Sequence, residues 1–225
     1  MGIQRLSKEN RLYWLGRYTE RALITIGFIS DAWDSSLDGA EVDYRGWCAK
    51  LQIPCEYSST DEFLESYLFN ADNPNSVPSS INRSFDNGIV LREVITSQAL
   101  SYLQLAKNVM DTAHEQDAPA LELQQVRDYL MAFRGCANES IDDEASRNTL
   151  KTGITVERMD LMLRLGFDAG KLPAEYERLT GRLRRTHLAR DGKRMQLLGD
   201  LVSGPNVAEN TSVMLEALEN LLPDV

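Results

Sequence analysis

Side chains that commonly carry chemistry are scarce in this chain of 225 residues: three cysteines (Cys48, Cys55, Cys136) and two histidines (His114, His187). Neither histidine stands at ligand spacing from a cysteine or from the other. A zinc site of Cys/His type is therefore not expected, and no metal or cofactor is assigned. The small, odd number of cysteines calls for no disulfide, and the thiols read as packing groups in a reducing setting. No Gly-rich phosphate loop, kinase signature or Ser-His-Asp constellation stands at usable spacing. Runs of roughly 18 or more apolar residues are absent, so no membrane-spanning helix is expected. The stretch Met1 to Gly16 lacks the uninterrupted apolar core of a secretory signal. It also has Leu6 where a myristoylation pattern needs Ser or Thr. A cytoplasmic protein is expected.

Basic charge is also in deficit: 24 Lys and Arg face 34 Asp and Glu, a net charge of −10. That balance favours solubility and opposes general nucleic-acid binding. One segment reverses the sign. Arg178, Arg182, Arg184, Arg185, Arg190, Lys193 and Arg194 lie together against the single acid Asp191. Such a run is often a solvated helix face, but in an acidic protein it is also a surface for an acidic partner or for RNA.

What remains is helical pattern. No strand alternation is visible, and the fold class is all-α, a multi-helix bundle over 1–225 with a possible internal duplication into halves of about 1–115 and 116–225. Ser7 can cap a first helix to about Asp34 that is apolar nearly all round, a character that belongs at the centre of a bundle. A short helix follows at about Val42 to Leu51. Ser59 and Glu62 have capping-box spacing for a helix to about Phe69. Ala71 to Ser80 is the clearest loop, with Ser76 and Pro78 opening the next helix. Further helices are expected at about Val77 to Glu93, Ser97 to His114 and Pro119 to Asn138. A long one follows from Asp142–Glu144 to about Gly170. After it come a basic helix from Pro173 to about Ala189, one from Lys193 to Val202, and a last one from Pro205, ending by Pro223.

One pattern occurs twice. LYWLGRYTERA occupies Leu12 to Ala22 and LKTGITVERMD occupies Leu150 to Asp160. In each, a Gly precedes a Glu-Arg pair by four residues, so Gly16 shares a helix face with Glu20, and Gly153 with Glu157. A Gly admits another backbone, and a Glu beside it is then liable to burial. A buried carboxylate without a partner costs several kcal/mol. Each Glu thus needs a cation. The expected arrangement is a pseudo-symmetric centre in which Glu20 meets Arg158 and Glu157 meets Arg21. The same groups, with Arg17 at the mouth, could instead form a polar ligand site in which Glu20 or Glu157 acts as a base.

These residues resemble the alpha-E domain family, a bacterial helical domain named for its repeated Glu-Arg helices. Leu12 to Ala22 is similar to the family's LYWLGRYxERA opening. Asp72, Asn73, Pro74, Ser76 and Val77 are similar to its D-x-NP-x-S-V/I loop, followed by Asn87 and Arg92. Gly153, Glu157, Arg158, Asp160 and Arg164 are similar to its second copy. The chain departs from that pattern at Leu23, Ile24 and Gly27, at Ile154 and at Ile89, where polar groups or a Gly-Arg pair are usual. The resemblance implies association with circularly permuted ATP-grasp ligases and transglutaminase-like proteins, and so a part in amide or peptide-bond chemistry. It adds Asn73, Asn87, Arg92, Asp160 and Arg164 to the ligand-site candidates Arg17, Glu20, Arg21, Glu157 and Arg158.

Three functions fit. The first is a helical partner of an amide-forming ATP-grasp system, non-catalytic on its own and docking through Arg178, Arg182, Arg184, Arg185 and Arg190. The second is an enzyme that uses the Glu-Arg centre for amide transfer or hydrolysis. The third is an RNA- or tRNA-binding module acting through Arg178 to Arg194.

Overall fold

The computed structural model describes residues 2–37, 42–113, 119–223 and 225; His114 lies outside them. Among the described residues there are ten α-helices, a short 3-10 turn at Ala169–Lys171 and no strand, so the all-α expectation holds. The helices are α1 (Gly2–Leu37), α2 (Tyr44–Leu51), α3 (Thr60–Phe69), α4 (Val77–Val90), α5 (Arg92–Ala113), α6 (Pro119–Ser140), α7 (Glu144–Leu165), α8 (Leu172–Leu183), α9 (Gly192–Val202) and α10 (Thr211–Glu219). No helix among the described residues is long and apolar enough to cross a membrane.

The chain forms two compact units, one of residues 1–17 and 142–225, the other of 18–141. The inner segment is the second unit, and the outer segments together make the first. Helix α1 supplies residues to both.

In the 18–141 unit, α5 and α6 pack along their lengths, with α4 against α5 and α3 against both α4 and α5. Ile95, Ala99, Leu103, Ala106, Met110 and Ala113 of α5 are buried, as are Leu123, Val126, Leu130, Phe133 and Ala137 of α6. Steps of three and four place each set on one stripe, the pattern that helix pairing selects. In the other unit, α7 packs against α8 and α10, and α9 against α8 and α10. Met159, Met162, Leu172, Leu179, Leu198, Met214 and Leu221 meet there in one apolar cluster. Helix α7 is buried nearly all round from Ser146 to Leu163. Two of its threonines return hydroxyls to their own helix: Thr149 Oγ1 donates to Ala145 O and Thr155 Oγ1 to Lys151 O.

Several limits move. Helix α1 starts at Gly2, so Ser7 lies inside it. Ser59 accepts from Glu62 N at 3.1 Å as expected, but Glu62 reaches back one residue further, to Ser58 N at 2.7 Å. The helix after the Pro74 loop turns at Leu91, and α5 is broken again at Thr96 (φ 72, ψ 155), a conformation that suits glycine better than a β-branched residue. Asp143 caps α7 through Ser146 N at 2.9 Å, and Gly166 (φ 75) ends it before Gly170. The basic helix stops at Leu183 rather than Ala189, and the last helix begins at Thr211 rather than Pro205.

Candidate functional site

The first half of α1 and α7 meet at the two paired glycines. A Cβ on Gly16 would overlap the carbonyl oxygen of Leu150 and lie 3.0 Å from Ile154 N; one on Gly153 would overlap Tyr13 O and lie 3.1 Å from Arg17 N. Only hydrogen fits at either position, so both glycines are required by backbone approach. The close approach carries Arg17 onto Glu157, with Nε 2.6 Å from Oε2. Glu157 is fully buried, and the guanidinium lies 5.2 Å from the Trp14 ring centre and 5.9 Å from that of Tyr13. Burial alone would weaken Arg17's hold on its proton, but Glu157, Tyr13 and Asp160 together outweigh it and the proton is held more tightly than usual.

One turn along α7, Asp160 accepts from Arg164 Nε at 2.9 Å, and Arg164 Nη2 reaches Glu219 of α10 at 2.5 Å. Asp160 is raised above its ordinary 3.8, first by burial and then by the Glu157 charge, against the pull of Arg17 and Arg164. Burial likewise raises Tyr13. Arg17, Glu157, Asp160 and Arg164 thus form one buried strip, two adjacent acids flanked by two arginines. Arg158 reaches Glu175 of α8 at 3.3 Å, an acid that Arg178 also holds at 2.5 Å.

Glu20 is served within the other unit. Its Oε2 lies 2.8 Å from Arg134 Nη1 of α6. Arg21 is half-buried, and its carbonyl accepts from Thr25 Oγ1 at 2.7 Å. The loop residues are tied down locally. Asn73 Nδ2 donates to Tyr57 OH at 2.9 Å and Ser66 Oγ at 3.2 Å, while its Oδ1 accepts from Asn75 N at 3.0 Å. Ser76 provides the helix cap, accepting from Ser79 N at 3.1 Å. Asn87 is half-buried on α4, and Arg92 is exposed beside Glu93 at 3.1 Å.

The Glu-Arg repeat has a counterpart in the family comparison. The Alpha-E model, described as a predicted alpha-helical domain with a conserved ER motif, matches residues 8–188. The chain belongs to the Alpha-E family. Neither the curated proteins nor the solved structures gave a match.

The basic stretch of this Alpha-E domain divides into inward and outward groups. Arg182 donates to Lys151 O at 2.9 Å and to the Thr155 hydroxyl, pinning α8 to α7. Arg190 Nη1 donates to Leu183 O at 3.3 Å, closing the end of α8, yet the residue is exposed. Arg184 and Arg185 are exposed, Arg185 lying 3.7 Å from Glu144.

Four members of the polar strips carried no flag in the sequence: Tyr13, Arg134, Glu175 and Glu219. Tyr13 could have been found, since it lies four residues before Arg17 on the same helix face. The others belong to no motif, and their approach depends on tertiary packing. Among the described residues no group of three or more His, Cys, Asp and Glu is arranged to hold a metal ion.

Proposed function

We propose that this Alpha-E domain is a helical accessory partner of an amide- or peptide-bond-forming system of the ATP-grasp type. It binds the ligase and performs no chemistry of its own. The observation that carries the reading is the engagement of the motif carboxylates: Glu157 with Arg17 at 2.6 Å and Glu20 with Arg134 at 2.8 Å. Carboxylates already matched by internal arginines serve folding, whereas Arg184, Arg185 and Arg190 present charge to solvent. An exposed cationic patch on an acidic protein can steer and orient an acidic partner surface.

The test is co-purification with a circularly permuted ATP-grasp ligase encoded beside the domain. Affinity should fall on reversing Arg184, Arg185 and Arg190 to Glu, most at low salt. Affinity unchanged across a salt series would remove the patch from the interface. A transglutaminase-like neighbour is the next partner to try. The raised Asp160 beside Tyr13 and Arg17 favours a second reading, a ligand-binding or amide-transferring site. Turnover by the isolated chain, lost in Glu157→Gln with the fold retained, would establish it. Steeply salt-dependent RNA binding would move the basic patch to nucleic acid instead.

A further inference from the structure

Arg164 stands in the last turn of α7, where a cation suits the negative end of the helix dipole. Its side chain is only 9% exposed, and its nitrogens are unequally served. Nε donates to Asp160 Oδ2 at 2.9 Å, and Nη2 donates to Glu219 Oε1 at 2.5 Å. Nη1 is buried and has no hydrogen-bond partner among the described residues. A buried donor on a charged group is costly to leave bare.

The two acids on Arg164 are not alike. Asp160 is buried with the arginine, its side chain 5% exposed, whereas that of Glu219 is 47% exposed. Glu219 is also the last residue of α10, where an acid opposes the helix dipole. The helix is anchored without it, by Met214, Ala217 and Leu218 in the apolar cluster. Glu219 therefore does little for α10 and meets only one of the two terminal nitrogens of Arg164. A carboxylate free to orient itself can take both, as a fork.

We propose that the head of Arg164 is a binding site for a small carboxylate, the free carboxyl of an amino acid or short peptide, and that Glu219 occupies it as an internal stand-in. The two ligand oxygens accept from Nη1 and Nη2, Asp160 keeps Nε, and the Glu219 side chain turns to solvent. One carboxylate replaces another, so the charge around Arg164 is unchanged while the bare Nη1 gains an acceptor. This site gives a ligand to the second reading of the buried strip and rests on that reading, not on ligase docking. Arg185 meets Glu144 at the opposite end of α7, with about 30 Å of helix between Glu144 and Arg164.

The full chain and its Glu219→Gln variant are titrated calorimetrically with N-acetylalanine, and with N-acetylalaninamide, which keeps the skeleton and lacks the charge. The parent should bind N-acetylalanine weakly, because Glu219 competes for Nη2. Glu219→Gln should bind it at least about tenfold more tightly, the scale of one hydrogen bond to a charged group. The amide should bind neither protein. Arg164→Lys in the Glu219→Gln background keeps the positive charge without the fork and should lose the gain. If that double variant does not fold, the amide still decides, since it leaves the protein unaltered. Equal affinity in parent and Glu219→Gln, no binding by Glu219→Gln, equal binding of the amide, or a response matched by chloride at the same ionic strength would each overturn the proposal. None of these outcomes bears on ligase binding, which reversal of Arg184, Arg185 and Arg190 tests separately.

Discussion

Glu157 and Glu20 begin from the same local sequence, a Gly four residues upstream and an Arg immediately after, yet the two units treat them differently. In the unit of 1–17 and 142–225, Glu157 faces Arg17, whose side chain is only 11% exposed, and a second acid, Asp160, lies one turn away. In the unit of 18–141, Glu20 faces Arg134, which is 28% exposed. Burial of the acid is common to both; burial of the cation is not. The motif therefore specifies where a carboxylate goes, and the surrounding helices decide how much that placement depends on its partner.

Breaking the glycine crossing should have the largest effect. Gly153→Val drives carbon into the Tyr13 carbonyl, which is backbone and cannot rotate aside. The loss should exceed the roughly 3–5 kcal/mol of a broken buried ion pair, read as failure to reach a cooperative melt. Next comes Glu157→Ala, which strands Arg17 between two aromatic rings and Asp160; about 3–5 kcal/mol is expected from urea unfolding. Glu20→Ala should cost less, about 2 kcal/mol, because Arg134 can turn to water. Equal losses in the two variants would show that cation burial is not what separates them.

The pH dependence sharpens the same contrast. Asp160 in the folded chain lies above its ordinary 3.8, so ionising it costs more folded than unfolded. Its contribution to stability is fullest below 3.8 and declines as pH rises through the raised folded value. Asp143 is the opposite case: hydrogen bonds from the Ser146 hydroxyl and N–H hold it below the ordinary value, so its contribution is lost as pH falls. In Asp160→Asn the first effect disappears and the second remains. Urea midpoints measured across the acid range should then fall more steeply on acidification than in the parent chain. Parallel curves would show that Asp160 titrates alike in both states.

How much of this was legible in the sequence follows from separation along the chain. The shared faces of Gly16 with Glu20 and of Gly153 with Glu157 are local consequences of helix pitch, and the close approach of the two glycines followed from them. The partner arginines were less legible. The expected exchange joined the two motifs through Arg21 and Arg158; the ion pairs Arg17–Glu157, Glu20–Arg134 and Arg158–Glu175 were not part of it. Arg134 sits in α6 with no pattern around it, and Glu219 follows Arg164 by fifty-five positions. The end of α8 was misread for a related reason. Arg184 to Arg190 has helical composition, but Leu183 O is claimed by Thr186 Oγ1 at 3.1 Å and Arg190 Nη1 at 3.3 Å, while Leu188 is buried and Asp191 N reaches Leu221 O at 2.9 Å. Those contacts favour turning away over another helical turn.

The interleaving of the two units has a consequence in time. A ribosome finishes everything needed for the 18–141 unit before the first residue of α7 emerges. Arg17 and Gly16 wait for partners near Glu157, about 140 residues later. At about 5–20 residues per second that delay is on the order of ten seconds. Throughout it, Leu12, Tyr13 and Leu15 of α1, destined for burial, are apolar groups attached to an already foldable body. Synthesis therefore asks either a chaperone or the tunnel-bound chain itself to shield these residues of α1 until α7 arrives.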